Sequence, residues 1–113
     1  MSELDPQIVG LLERMRAAGA RPVGELPAAD LRRNCAVAAP AAFGPGAPVA
    51  SVEDRETDAG IAVRIYRPIE TDDRAPMLVY FHGGGWIVGN LETHDGIVRL
   101  LARGSGRVAA AVD

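Results

Sequence analysis

A short apolar run that ends in three consecutive glycines constrains the fold more than any other feature of the sequence. The run is Met77–Phe81, and His82, Gly83, Gly84 and Gly85 follow it directly. Its length and its lack of alternation are typical of a strand that is buried on both faces, as in a parallel sheet. Glycine tolerates positive φ and leaves its amide N–H unobstructed by a Cβ. We therefore predict a core strand that delivers a bare backbone loop to the edge of a sheet, where amides can stabilise negative charge on a carbonyl oxygen.

The loop sequence, from His82 through the three glycines to Trp86, resembles the HGGG motif of α/β-hydrolase esterases and lipases of the hormone-sensitive-lipase group. The similarity continues in the segments Val49–Asp54, Ile61–Pro68, Thr93–Asp95 and Val108–Asp113. The resemblance implies an α/β fold class, as the N-terminal part of an α/β-hydrolase fold. Its parts are N-terminal cap helices, an antiparallel strand pair, and a strand–helix–strand unit of the mainly parallel sheet.

The resemblance also implies roles for the loop residues in this sequence. Gly84 and Gly85 are expected to be oxyanion-hole donors, with Gly83 as the neighbouring candidate. His82 is expected to position the loop through hydrogen bonds. Trp86 either lines the acyl or alcohol pocket or packs beneath the loop, and both readings stay open. Arylformamidase-like amide hydrolases use a similar loop, so amide hydrolysis is the alternative chemistry.

The catalytic triad of this family has no counterpart in the sequence. The nucleophile stands in G-x-S-x-G, and no serine has that context; the serines are Ser2, Ser51 and Ser105. Asp95 and Asp113 are poor candidates for the triad acid because no histidine of the family's pattern is present to be oriented. We expect an N-terminal fragment of a carboxylic ester hydrolase that is inactive alone. A non-enzymatic truncated product that needs a partner chain is the other alternative.

A glycine-rich turn between a strand and a helix can also bind phosphate, or it can be a plain turn. Counted from Gly83, the dinucleotide pattern G-x-G-x-x-G needs a glycine where Val88 stands. All twelve basic residues are arginine, and a P-loop requires a lysine. These observations favour the oxyanion loop over a phosphate loop, and a plain structural turn remains the simpler alternative.

Charge and cysteine content limit the partners and the compartment. The net charge of −3 gives no reason to expect nucleic acid, and no apolar run is long enough to span a bilayer. Met1–Gly10 lacks the pattern of a signal peptide. Cys35 is the single cysteine, interpreted as a small buried apolar residue. Neither His82 nor His94 has a spacing that suggests a metal. The missing signal-peptide pattern, the missing membrane span and the single cysteine predict a cytoplasmic protein. The resemblance implies that the substrate is a small ester and that no cofactor is needed.

Periodicity divides the chain at the breaker cluster Gly44-Pro45-Gly46. Before it, we predict a helix from Pro6, capped by Asp5, and a second helix over Ala28–Ala39 that Pro40 closes. After it, we predict a strand pair, the core strand, a helix and a last strand, over Val49–Glu56, Ile61–Tyr66, Met77–Phe81, His94–Arg103 (capped by Thr93) and Val108–Val112. The resulting units are a helical cap segment, residues 1–44, and an incomplete α/β-hydrolase core, residues 45–113.

Overall fold

The structure is a computed structural model that describes residues 4–72, 74 and 76–113, without the side chains of residues 42 and 43. The first residues of Met1–Gly10, on which the compartment prediction rests in part, therefore lie outside the described residues. The helices are α1 (Pro6–Ala17), α2 (Ala28–Phe43) and α3 (Leu91–Ser105), and a 3-10 turn covers Val23–Glu25. The strands are β1 (Ser51–Glu56), β2 (Ala62–Arg67), β3 (Leu78–Phe81) and β4 (Ala109–Val112).

The four strands form one mixed sheet in the order β1-β2-β4-β3. Strands β1 and β2 pair antiparallel, with Val52 opposite Tyr66, and β2 pairs antiparallel with β4. Strands β3 and β4 pair parallel, with Leu78 opposite Ala109. The predicted antiparallel pair and the predicted strand–helix–strand unit are both confirmed. Because β3 pairs only with β4, its other edge has no partner strand among the described residues.

The core lies between the sheet and one face of α3. Tyr66 on β2, Val98 and Ala102 on α3, and Ala109 and Ala111 on β4 form its buried cluster. These α3 positions are four residues apart and lie on one face, while the β4 positions alternate, as residues on one face of a strand do. Helix α3, which follows the glycine loop directly, therefore packs against the sheet.

The beginning of α3 differs from the prediction. The helix starts at Leu91, and its N-cap is Asn90 rather than Thr93. The Asn90 side chain accepts from the Thr93 amide at 2.9 Å, and the Thr93 hydroxyl accepts from the Asn90 amide at 2.9 Å. This capping box satisfies two amides that the end of a helix otherwise leaves unpaired, which explains why asparagine takes the cap position.

A polar network joins α3 to the first two strands. Its members are Asp54 on β1, Arg64 and Tyr66 on β2, and Glu92, Asp95 and Arg99 on α3. Arg64 is only 12% exposed and contacts all three carboxylates of the network. The hydrogen bonds that Arg64 donates to the carboxylates of Asp54 and Glu92 raise the pKa of Arg64 above its ordinary value. Burial and the hydrogen bond to Asp95 raise the pKa of Tyr66, so both groups keep their protons throughout the physiological range.

Strand β3 is not buried on both faces, contrary to the prediction. Leu78 and Tyr80 are partly buried and pack against the α3 side of the core. Val79 and Phe81 point to the other face and are 54% and 72% exposed. Successive side chains of a strand alternate between faces, and α3 covers only one of them. No described segment covers the face that carries Val79 and Phe81.

The N-terminal helices are less buried than the core. The Asp5 side chain accepts from the Gln7 amide at 2.8 Å and caps α1 as predicted. The predicted end of the second helix at Ala39 is wrong, because α2 continues through Pro40 to Phe43. A proline removes its own amide bond but still accepts at its carbonyl, and here that carbonyl accepts from Gly44 at 2.9 Å. None of the helices in the described residues is both long and apolar enough to cross a membrane.

Candidate active site

The loop between β3 and α3, His82–Gly89, is built around a tight turn at Gly84. The Gly84 carbonyl accepts from the amides of Ile87 at 3.1 Å and Val88 at 3.0 Å. The backbone takes positive φ at Gly84 (147°) and Gly85 (59°), and also at Trp86 (57°). Residues with a Cβ rarely adopt the φ of Gly84, so glycine is required there, whereas Trp86 carries a side chain at nearly the same φ as Gly85.

At two glycines of the loop, close contacts leave no space for a Cβ. A Cβ at Gly84 would lie 1.6 Å from the Val88 carbonyl oxygen. A Cβ at Gly89 would lie 2.5 Å from the Gly83 oxygen and 2.6 Å from Nδ1 of His82. Gly83, in contrast, has open space where its Cβ would stand. The sequence pattern that carries this packing is a glycine seven residues after His82, which the sequence analysis did not use.

The amides of Gly83, Gly84 and Gly85 are not engaged by any part of the chain that the structure describes. None of the three is a donor in any hydrogen bond between the described residues, whereas the amides of Ile87 and Val88 are both used. Gly83 and Gly85 are exposed and Gly84 is partly buried. The Gly84 carbonyl is therefore occupied by hydrogen bonds within the loop. The adjacent amides remain available to an external acceptor.

His82 lies against the loop that it was predicted to position. Its Nδ1 is 3.0 Å from the Gly83 carbonyl oxygen, so the Nδ1–H tautomer donates to that oxygen. Its ring stacks on the ring of His94, with centroids 5.2 Å apart and 29° between the planes. His94 in turn approaches the hydroxyl of Thr93 at 3.0 Å and the ring of Tyr80, at 6.0 Å between centroids. The sequence analysis missed this link between α3 and the loop.

Trp86 projects from the loop into solvent. Its side chain is fully exposed, so it does not pack beneath the loop in this chain. Together with His82, Val88 and the three glycines it borders a depression of about 280 Å³. A lining role for Trp86 therefore concerns the outer rim of the loop.

A larger cleft also borders the loop, between it and the N-terminal helical segment. Its volume is about 630 Å³, within the range of about 300–1,000 Å³ that is typical of small-molecule sites. Among the described residues, the polar side chains that line it are those of Arg21 and Asn34. The remaining lining residues are apolar or glycine: Met15, Ala20, Val23, Leu26, Leu31, Cys35, Ala38, Gly84, Gly85, Ile87 and Val88. Cys35, predicted to be buried, is half-buried in this wall.

The serine and aspartate candidates lie away from the loop or are engaged elsewhere. Ser51 is on β1, at the opposite edge of the sheet from β3. Ser105 ends α3, about 20 Å from the start of that helix by its rise per residue. Asp95 binds Tyr66 and Arg99. Asp113 accepts from the amide of Leu91 at 3.1 Å. The part of the chain that the structure describes contains no group of three or more potential metal ligands.

Comparison with known proteins agrees with this architecture. A family model described as alpha/beta hydrolase fold matches residues 78–113. The carboxylesterase NlhH of Mycobacterium tuberculosis is 45% identical over 53 residues, which are 47% of this chain and 17% of that protein.

Two solved esterases superimpose on nearly the whole chain. The ester hydrolase EH1AB1 from the metagenome of Lake Arreo, solved with a bipyridine phosphonate derivative, has a TM-score of 0.83 and 35% identity over 98% of this chain. The hyperthermophilic esterase of Pyrobaculum calidifontis has a TM-score of 0.82 and 32% identity over 99% of this chain. The chain spans 38% and 36% of these two proteins. The chain therefore has the N-terminal part of the α/β-hydrolase fold and is similar to the matching part of these esterases.

Proposed function

We propose that this chain supplies the oxyanion-hole segment of a carboxylic ester hydrolase of the hormone-sensitive-lipase group. Gly84 and Gly85 are the amide donors, with Gly83 as the neighbouring candidate, and His82 positions the loop. The observation that carries the proposal is the run of adjacent amides that donate to nothing among the described residues. Further support is that Gly84, where a Cβ would collide with the Val88 carbonyl, also borders the large cleft.

The chemistry follows from where charge develops. A serine nucleophile that attacks an ester carbonyl converts its oxygen into an alkoxide, and the acyl-enzyme is then hydrolysed by water. Fixed amides that point at this oxygen stabilise the tetrahedral intermediate, and loss of one donor typically costs a factor of about 10²–10³ in kcat. The residues of this chain provide the donors but no serine in a nucleophile elbow. The chain alone is therefore expected to give no steady turnover.

The proposal includes the arrangement around the loop. Residues 1–44 act as a cap segment and residues 45–113 as part of the core, because the large cleft lies between the two. The substrate is a small ester, and the location is cytoplasmic, as the sequence predicts. Trp86, at the outer rim, is a candidate contact for the part of the substrate that faces solvent.

A chimera tests this function. Residues 1–113 replace the matching segment of the Lake Arreo ester hydrolase, which supplies the remaining part of an esterase. We expect the chimera to hydrolyse p-nitrophenyl butyrate steadily and the 113-residue chain alone to show no rate above its Gly84→Ala variant. An anilide of the same acid, assayed in parallel, separates ester from amide hydrolysis.

Two results would contradict the proposal. One is a chimera that melts cooperatively yet hydrolyses neither substrate. The other is a chimera whose turnover is unchanged by Gly84→Ala. This substitution should displace the loop and turn its amides away from the oxyanion, so the proposal requires turnover to fall. Steady turnover by the 113-residue chain itself would refute the expectation that it is inactive alone.

A further inference from the structure

The two amides assigned as donors belong to peptide groups whose carbonyls already have hydrogen-bond partners. The Gly84 amide shares its peptide group with the Gly83 carbonyl, which lies 3.0 Å from Nδ1 of His82. The Gly85 amide shares its peptide group with the Gly84 carbonyl, which accepts from two amides of the same turn. A trans peptide is planar, and its N–H and C=O point in opposite directions, so a partner that holds the carbonyl also sets the direction of the amide. The direction of the Gly84 amide therefore depends on the ring of His82.

The hydrogen bond between His82 and Gly83 needs further support to keep this direction. The bond is exposed, and such a bond adds little net free energy because water offers both groups other partners. Gly89 leaves room for the bond, since a Cβ at that position would lie 2.6 Å from Nδ1 of His82 and 2.5 Å from the Gly83 oxygen. A glycine has no side chain that could hold the ring, so another residue must do so.

We propose that His94 is a positioning residue of the oxyanion loop. Its ring stacks on the ring of His82, with centroids 5.2 Å apart, and keeps Nδ1 of His82 directed at the Gly83 carbonyl. The Gly84 amide is thereby directed at the oxyanion. A carbonyl that accepts a hydrogen bond also polarises its own peptide group, which makes the amide a stronger donor. The assignment rests on the proposed function, because that function makes the Gly84 amide a donor.

The first turn of α3 holds the His94 ring in place. Thr93 is 4% exposed, and its hydroxyl oxygen lies 3.0 Å from the Asn90 carbonyl oxygen and 3.0 Å from Nδ1 of His94. When the hydroxyl donates its single proton to that carbonyl, it accepts from the Nδ1–H of His94. On the sheet side, the ring of Tyr80 lies 6.0 Å from the His94 ring between centroids. His94 therefore connects the exposed loop to the packed part of the fold.

The state of the His82 ring can be observed without any turnover. The sequence contains two histidines, His82 and His94, so the 113-residue chain labelled with ¹⁵N-histidine gives NMR signals from two imidazole rings. Variants at position 94 retain the His82 signals alone. Spectra are recorded at about pH 9, where an ordinary histidine is neutral. In the parent, we expect the His82 proton to stay on Nδ1, where it is donated to the Gly83 oxygen.

Three variants at position 94 separate the contribution of the ring from that of its polar atom. His94→Ala removes both, His94→Asn keeps a polar group near the helix start but has no ring, and His94→Phe keeps a flat ring without Nδ1. We expect His82 to exchange between its two tautomers in the Ala and Asn variants and to keep its proton on Nδ1 in the Phe variant. Far-UV circular dichroism checks that each variant is folded. If the Ala variant does not fold, the Asn and Phe variants carry the comparison.

Kinetics of the chimera test whether the ring position reaches the loop. His94→Ala should lower kcat about 10- to 100-fold, toward the loss expected when catalytic donors move by about 1 Å. KM should stay nearly unchanged, because the oxyanion forms only as the reaction proceeds. His94→Phe should recover most of the lost kcat, and His94→Asn should not.

Ala102→Gly is the matched control for a loss of stability. Ala102 is fully buried on the same helix, and it lies eight residues beyond His94, about 12 Å by the rise of a helix. Glycine lowers helix propensity, so this variant should melt at a lower temperature. Because position 102 is remote from the loop, the variant should keep both the kcat of the chimera and the Nδ1–H state of His82.

Three results would overturn the inference. They are an Nδ1–H state of His82 that survives both His94→Ala and His94→Asn, an unchanged kcat in the folded His94→Ala chimera, and a kcat of His94→Phe no higher than that of His94→Ala. If Gly84→Ala inactivates the chimera while His94→Ala changes neither kcat nor the tautomer, the oxyanion assignment stands and the role of His94 fails. If the folded parent chimera is inert while His94→Ala still releases the His82 tautomer, the proposed function fails and the positioning of His82 by His94 stands.

Discussion

Replacing Gly84 by alanine should damage the glycine loop far more than the same change one residue earlier. The new Cβ would lie 1.6 Å from the Val88 carbonyl oxygen and 2.5 Å from the carbonyl carbon, and Gly84 has a φ of 147°. Ordinary contacts begin at about 3.4 Å, so the two backbone segments must separate by nearly 2 Å, the difference between the two distances. Neither partner is a flexible side chain that can rotate away. The turn must therefore open.

The cost can be estimated from the bonds that the turn holds. Opening it breaks the hydrogen bonds from the amides of Ile87 and Val88 to the Gly84 carbonyl. At about 0.5–1.5 kcal/mol each, their loss reduces the free energy of unfolding by about 1–3 kcal/mol. Misplacing catalytic donors by about 1 Å is enough to lose about 10²-fold in rate. In the chimera we therefore expect Gly84→Ala to lower kcat by at least about that factor.

Gly83→Ala is the matched control. A Cβ at position 83 meets no atom within 4 Å, and the backbone there is not left-handed. This variant should keep the stability of the parent, measured by urea denaturation followed by far-UV circular dichroism, and most of its activity in the chimera. The reasoning is refuted if Gly84→Ala and Gly83→Ala give the same free energy of unfolding and the same kcat.

Three further predictions concern the core, the polar network and the loop. Tyr66→Phe removes a hydrogen bond to the carboxylate of Asp95 and should reduce the free energy of unfolding by about 1.5–3 kcal/mol in urea denaturation. The hydrogen bond from Arg64 lowers the pKa of Asp54 below its ordinary 3.8. The folded state then binds a proton at Asp54 less readily than the unfolded state does. The contribution of the ionised Asp54 to stability is therefore present above pH 3.8 and is lost as the pH falls through the lowered pKa. Arg64→Met should weaken this loss, measured as the unfolding midpoint in urea at successive pH values. Trp86 is the single tryptophan and is fully exposed, so acrylamide should quench its fluorescence almost equally before and after unfolding in urea.

Each of these predictions has a distinct contrary result. An unfolding free energy of Tyr66→Phe equal to that of the parent would mean that the bond to Asp95 does not stabilise the fold. A pH dependence that survives Arg64→Met unchanged would remove the guanidinium as its cause. Strong protection of Trp86 from acrylamide in the folded chain would show that the loop is covered.

The central sheet was predictable because its local signals agree with its long-range pairing. Alternation over Ile61–Tyr66 and the apolar run ending at Phe81 identified strands that do pair as expected. The exposure of Val79 and Phe81 was not predictable, because an uninterrupted apolar run indicates burial on both faces whether or not a segment covers the second face. The apolar run indicates the environment that suits the strand, but it does not indicate whether the chain provides a segment to cover both faces.

The predictions of the helix boundaries were wrong where two sequence signals compete. Thr93 and Asn90 are both good capping residues, and only the geometry shows that they bond to each other with Asn90 outside the helix. Pro40 usually marks a helix end, yet its effect is limited to its own missing amide near the end of α2. Both errors shift a boundary without changing the order of the elements.

The position of the glycine loop was predictable from the sequence, whereas the residues that surround the loop were not. The glycine motif located the loop. The hydrogen bonds from the amides of Ile87 and Val88 to the Gly84 carbonyl depend on turn geometry that composition does not specify. The stacking of His82 on His94 joins residues on two different elements. The cleft forms because the N-terminal helices fold back toward the loop, which no local pattern in residues 1–44 reports.

The most direct test of the central claim is the amide NMR spectrum of the chimera, labelled with ¹⁵N-glycine, before and after an alkyl p-nitrophenyl phosphonate reacts with its serine. The tetrahedral phosphonate places a charged oxygen where the ester's oxyanion forms, and that oxygen accepts hydrogen bonds from the oxyanion hole. The account predicts large downfield shifts of the Gly84 and Gly85 amide protons, with little change at Gly60, which lies in the turn between β1 and β2. Unchanged Gly84 and Gly85 signals in the fully modified protein would contradict it.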